Sequence, residues 1–233
     1  MTLTETNVYV DGFNFYYGAA KDTPYKWANL KALCEKVLPH IRIKRLRYFT
    51  ALVKPTPTDL QKRQRQEIYL RALETIPNLT LHYGHYLQST VRMRLANPPA
   101  KGPKSVEVLK MEEKGSDVNI ATYMLVDAFR HDCDQLVVVT NDSDLSEPIR
   151  IINHELGIPV GVFNPHTQDT ADRKARLAGA SPKRARPSVE LKKVARFYRG
   201  ISSEGPHSHM ALSQFPNTLT DKNGHTITKP SSW

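Results

Sequence analysis

Four aspartates in this chain stand where they could act as one group: Asp11, Asp117, Asp142 and Asp144. Asp11 closes Asn7–Val10, a short run of strand-forming residues followed by the turn signal Gly12. Asp142 and Asp144 follow Leu136–Thr140, a continuous apolar and β-branched run that reads as a central parallel strand. If the chain stays extended there, alternation points Thr140, Asp142 and Asp144 to one side. Asp117 stands in the first turn of a helix read from Ser116 to Arg130, where the helix dipole alone favours a carboxylate. Clustered carboxylates repel and raise one another's pKa. A hard divalent cation offsets that cost. Mg²⁺ takes carboxylate and water oxygens and leaves positions for phosphate oxygens. It also activates water and stabilises an in-line displacement at phosphorus. The chemistry these residues suit is hydrolysis of a phosphodiester.

Polar neighbours fit the same centre. Asn14, Thr140, Asn141 and Ser143 are placed to support the carboxylates or substrate, although each also reads as an ordinary turn residue. Lys114 and Ser116 flank the start of the Asp117 helix, where a phosphate would meet free backbone N–H groups. Asp127 lies ten residues beyond Asp117, about 15 Å along a helix, too far to share an ion. Arg42, Lys44, Arg45 and Arg47 alternate with apolar residues, and Lys62, Arg63 and Arg65 follow on a helix. Such residues hold phosphate backbones without reading sequence, with Arg45 and Arg63 the representative candidates. Among Phe13, Phe15, Tyr16 and Tyr17, one or two rings belong in a core, and an exposed one suits stacking on a single-stranded base. His82, His85, His207 and His209 lack metal-ligand spacing.

The elements that must carry these residues alternate. Helical spacing runs from Trp27 to Leu38, with Pro39 as its stop. A strand follows over Leu46–Val53, a helix over Thr58–Ile76 with Thr58 as cap, and a strand over Leu79–Leu87. Residues 88–105 read as irregular, and Val106–Leu109 as a short strand. Ser116 caps the next helix. After the strand at 136–140 come a helix over Glu147–Leu156 and a last strand over Pro159–Phe163. This order predicts an α/β domain with a mostly parallel sheet and helices on both faces. It spans residues 1–165. Residues 166–233 form a basic extension, helical over Val189–Tyr198 and packed on the domain or flexible. Between residues 170 and 200 stand ten Lys or Arg and two acids, with breaks at Pro182 and Pro187.

The whole chain has 233 residues and a net charge of +10, which favours polyanionic partners, nucleic acid above all. Cys34 and Cys133 alone make neither a disulfide framework nor a zinc site, and a reducing compartment fits them. No apolar run reaches the roughly 18 residues that span a membrane. The N-terminus has no basic-then-apolar signal pattern. The cytoplasm is the expected location, and a homo-oligomer is compatible with the sequence.

Three segments together resemble the NYN family of PIN-like nucleases: Val8-Tyr9-Val10-Asp11-Gly12-Phe13-Asn14, Glu113-Lys114-Gly115-Ser116-Asp117-Val118, and Val138-Val139-Thr140-Asn141-Asp142-Ser143-Asp144-Leu145. Their order and spacing match over about residues 7 to 165, and the ending from Gln214 to Trp233 resembles that of a bacterial subgroup. The resemblance implies a PIN-like fold and RNA cleavage dependent on Mg²⁺ or Mn²⁺. Asp11, Asp117, Asp142 and Asp144 match the family's acidic positions, and Asn14 its asparagine. Tyr123 stands where many members carry a further acid. That departure motivates an alternative, a PIN-like module that holds RNA or a protein without cutting. A phosphatase of the haloacid dehalogenase type would need an acid where Phe13 stands.

Overall fold

The computed structural model describes residues 3–181 and 184–233. Pro182 and Lys183, part of the basic run, and the N-terminal Met1 and Thr2 lie outside the described residues. Six strands form the central sheet: β1 (Thr4–Asp11), β2 (Ile41–Thr50), β3 (Leu79–Tyr83), β6 (Gln135–Val139), β7 (Val160–Asn164) and β8 (Phe197–Gly200). Their order is β3-β2-β1-β6-β7-β8, and every neighbouring pair is parallel.

Side-chain alternation along these strands sorts the core into two layers. Val8, Val10, Val137 and Val139 face one layer with α2 (Leu30–Val37) and α3 (Lys62–Leu73). Tyr9, Phe49, Leu136 and Val138 face the other with α4 (Ser116–Phe129), α5 (Ser146–His154) and α7 (Val189–Val194). The result is a three-layer α/β fold of PIN-like type. The chain fills one side of β1 through β2 and β3, then crosses to build the other through β6, β7 and β8. Such a reversal leaves a crevice at the carboxyl ends of the strands on either side of it, here β1 and β6.

Several expectations differ from the structure, beginning with the second strand, which runs over Ile41–Thr50 rather than Leu46–Val53. The strand expected at Leu79–Leu87 stops at Tyr83, because Gly84 turns the chain into a separate two-stranded ribbon. The Gly84 backbone N–H donates to Thr50 O at 2.8 Å, and a Cβ there would lie 2.6 Å from Lys114 O. Residues 88–105 are largely regular: β4 (His85–Arg94) and β5 (Ser105–Lys114) pair antiparallel over their full length. The cap of α4 is Gly115, at a φ of 101°, and Ser116 is the first helical residue. Finally, α3 starts at Lys62, since Thr56 and Asp59 bridge to each other ahead of it.

Chain beyond residue 165 adds a strand to the same sheet and side chains to the same core. The helix read over Val189–Tyr198 ends at Val194, Ala195 is extended, and β8 joins the edge of β7. The segment before it adds α6 (Gln168–Leu177). Further on, Ile201, Met210, Phe215 and Ile227 are buried in the first layer. Trp27, fully buried, donates its indole N–H to Pro216 O at 2.8 Å. A small antiparallel pair, β9 (Thr218–Thr220) and β10 (Thr226–Thr228), completes this segment.

Candidate active site

The crevice between β1 and β6 is where the acids meet. Asp11 ends β1 and caps α1 (Gly12–Phe15), accepting the Asn14 backbone N–H at 2.9 Å. The Asn14 side-chain amide donates to its other oxygen at 2.7 Å, and the Thr140 hydroxyl donates to that same oxygen at 3.2 Å. Thr140 also accepts the Asp142 N–H at 3.1 Å, so one hydroxyl stitches the ends of the two strands together. Asn14 Oδ1 accepts the Asn141 N–H at 3.3 Å. After β6 the chain does not stay extended. Asp142 caps a 3-10 turn over Ser143–Leu145 and accepts the Asp144 N–H at 3.0 Å, a local side-chain bond that replaces strand alternation.

Electrostatics ties Asp117 to the same place. Its carboxyl is pushed up to about 6, first by burial and then by the charges of Asp11, Asp142, Glu113 and Asp144. The Asp11 carboxyl is also raised, chiefly by burial, with Asp142 adding to it and the bonds from Asn14 and Thr140 opposing. Asp11 is 3% exposed. The charges of Asp11, Asp142, Glu113 and Asp144 thus all reach Asp117 and disfavour its ionised form.

Glu113 is the member that residue spacing did not single out. Its Oε1 accepts the Ser116 hydroxyl at 2.9 Å and the Ser116 N–H at 3.3 Å. The visible signal is an acid three residues before a serine that opens a helix. Ser116 is therefore buried and engaged by Glu113. Lys114 is exposed, 3.6 Å from Glu112. Ser143 is exposed in its turn. Asn141 turns the other way: its Oδ1 accepts the Ser188 N–H at 2.9 Å and the Tyr198 hydroxyl at 3.2 Å.

Two expected phosphate contacts, Arg45 and Arg63, are each bonded to an acid. Arg45 pairs in register with Asn7, four residues before Asp11 and so about 13 Å down the strand. It is engaged by Asp132 at 2.5 Å. Arg63 is bonded to Glu67 at 2.8 Å on the exposed side of α3. Asp127, set aside on distance, is a core residue bonded to Arg47 and Tyr9. Tyr123 lies over Arg47, with the guanidinium carbon 4.6 Å from its ring centroid.

The donors here are hard oxygens in a field that a cation would relieve, which fits Mg²⁺ or Mn²⁺ in kind. Among the described residues no three acid, His or Cys side chains stand as a ready shell for one ion.

The sheet order and its two flanking helical layers define an α/β class of PIN-like type. Within that class the chain belongs to the NYN domain family, whose model matches residues 5–178. The family is one of PIN-like nucleases. The chain is also similar to the 6-hydroxy-3-succinoylpyridine 3-monooxygenase HspA of Pseudomonas putida (strain DSM 28022 / S16). The two are 29% identical over 252 residues, covering 98% of this chain and 75% of that protein. A crystal structure of a Vibrio parahaemolyticus RIMD 2210633 protein of unknown function aligns with a TM-score of 0.47 and 15% identity, over 86% of this chain and 94% of that one. No helix among the described residues is long and apolar enough to cross a membrane.

Proposed function

We propose that this protein is a metal-dependent nuclease that hydrolyses RNA phosphodiester bonds. The observation that carries the reading is the shared field of Asp11, Asp117, Asp142 and Asp144 at the reversal point of a parallel sheet. Those four carboxylates would hold Mg²⁺ or Mn²⁺. The cation would supply Lewis acidity at the scissile phosphate and lower the pKa of the attacking water. Asn14 and Thr140 act through Asp11: their three hydrogen bonds fix its carboxylate. Lys114, exposed beside the start of α4, would meet a backbone phosphate. The net charge of +10 favours association with a polyanion. Two free, buried thiols suit a reducing cytoplasm.

End-labelled RNA should be cut with Mn²⁺ or Mg²⁺ and left intact with EDTA, and Asp142→Asn should slow cutting at least about 100-fold. Full activity in Asp142→Asn would sink the assignment. RNA bound tightly but left intact in Mn²⁺ would favour a binding module. A second reading is supported by the Pseudomonas relative's name: oxygenation of a small hydroxylated aromatic acid. Dioxygen consumption with 6-hydroxy-3-succinoylpyridine and a two-electron donor, without RNA cleavage, would establish it in place of the nuclease.

A further inference from the structure

A cavity of about 390 Å³ opens between the ends of β1 and β2 and the start of α3, beginning at Gly12 and Phe13, one residue from Asp11. That volume is in the range of small-molecule sites. Its walls are rings, supplied by Phe13, Tyr16, Tyr17, Tyr48, Tyr69 and Trp233. Tyr16 and Tyr17 belong to a π-helical turn, Tyr16–Ala20, closed by Lys21 N–H on Tyr16 O at 2.7 Å. Such turns are rare and concentrate at functional sites. Tyr17 is 42% exposed, and Lys21 Nζ lies 5.5 Å above its ring.

The lining is cationic as well as aromatic. Lys21, Lys26, Lys62 and Arg65 stand against Asp22 and Asp59. Arg65 is bonded to Asp59. Among the described residues Lys21, Lys26 and Lys62 have no carboxylate within ion-pair distance. Planar walls select a flat ring, and unpaired lysines select an anion attached to it. A nucleotide unit has both.

We propose that this cavity binds one nucleobase of the RNA strand beside the phosphate held at the acidic crevice, with the lysines on the adjoining backbone phosphate. This inference rests on the nuclease reading above. Stacking on aromatic walls is tolerant of base identity and requires an unpaired strand, so the cavity would make the enzyme selective for single-stranded RNA.

Calorimetry in EDTA tests the cavity apart from catalysis. The probes are adenosine monophosphate, ribose 5-phosphate (the anion without the ring) and benzoate (a ring with a carboxylate and no phosphate). The nucleotide should bind at least tenfold more tightly than either control. Tyr17→Ala should weaken it at least tenfold, and Lys62→Glu should weaken it and flatten its salt dependence, with thermal melts confirming that both variants fold. Equal binding of ribose 5-phosphate, or nucleotide binding unchanged in both variants, overturns the proposal. Tighter binding of benzoate overturns it too, and assigns the cavity to small aromatic acids. Nucleotide binding without any RNA cleavage would remove the nuclease reading and leave the cavity's ligand class standing. Cleavage without nucleotide binding would do the reverse.

Discussion

Asp117→Asn should melt at a higher temperature than the parent protein at pH 7 in EDTA, and should cut RNA at least about 100-fold more slowly in Mn²⁺. The Asp117 carboxyl is raised from 3.8 to about 6. The folded state therefore binds its proton more tightly than the unfolded chain does. Between those two values stability falls as pH rises, and above about 6 the penalty is complete. Below the lower value parent and variant should converge. A shift of this size corresponds to at most about 3 kcal/mol. Because Asp117 is only half-buried, solvent screening reduces that to about 1 kcal/mol, or roughly 2–4 °C for a domain of this size.

Saturating Mn²⁺ should invert the order. A ligand at about 100 times its Kd adds about 2.7 kcal/mol to the protein that binds it, and the amide variant has lost a ligand. Melting curves at pH 4 and pH 7, with and without Mn²⁺, read all of this. If Asp117→Asn were no more stable than the parent in EDTA at pH 7, the acids would not share one field.

The largest stability loss should come from the far end of α4. Asp127→Ala should cost about 3–5 kcal/mol, read as a lowered urea midpoint. Asp127 is bonded to both Nε and an Nη of Arg47 at 2.9 Å, and it accepts the Tyr9 hydroxyl at 2.7 Å. The Arg47 and Asp127 side chains are 12% and 5% exposed. Removing the carboxylate strands a buried guanidinium and a buried phenol. The ring of Tyr123 lies against that guanidinium, and His82 and Phe49 pack in turn against Tyr123. Adding Arg47→Leu to Asp127→Ala should recover part of the loss, because the uncompensated charge leaves with it. Cleavage should persist wherever the variant is folded, since Asp127 is about 15 Å along the helix from Asp117. A loss under about 1 kcal/mol would show the pair to be dispensable.

Legibility of the chain followed burial. The run at 136–140 was readable because it is buried on both faces, and the helix from Ser116 because it buries one, and their observed bounds differ by one residue. The ribbon of β4 and β5 was not. Leu87, Met93, Leu109 and Met111 are exposed on it, so its stability comes from its own ladder and leaves no core pattern in the sequence. Strand β8 was read as helix because Val189 and Val194 suggest one, and only the open edge of β7 decides otherwise. At the site, Asp11, Asp142 and Asp144 were visible from strand ends. Asp117 needed the motif, because helix capping explains an acid there equally well. Glu113 was hidden by its place in a ribbon no pattern announced. The acids bonded to Arg45 and Arg63 were not legible at all, because sequence shows that a residue is basic and not which acid stands beside it.

The bonds from Asn141 to Ser188 and Tyr198 have a consequence in time. Ribosomes deliver a chain from its N-terminus, so Asp11 and Asp142 emerge well before Tyr198. The loop that carries Asp142 and Asp144 acquires its outer anchor only when that later segment has reached the edge of β7. In a chain built this way these acids are made early and assembled late, because the bonds that hold their loop wait for residues 188 and 198.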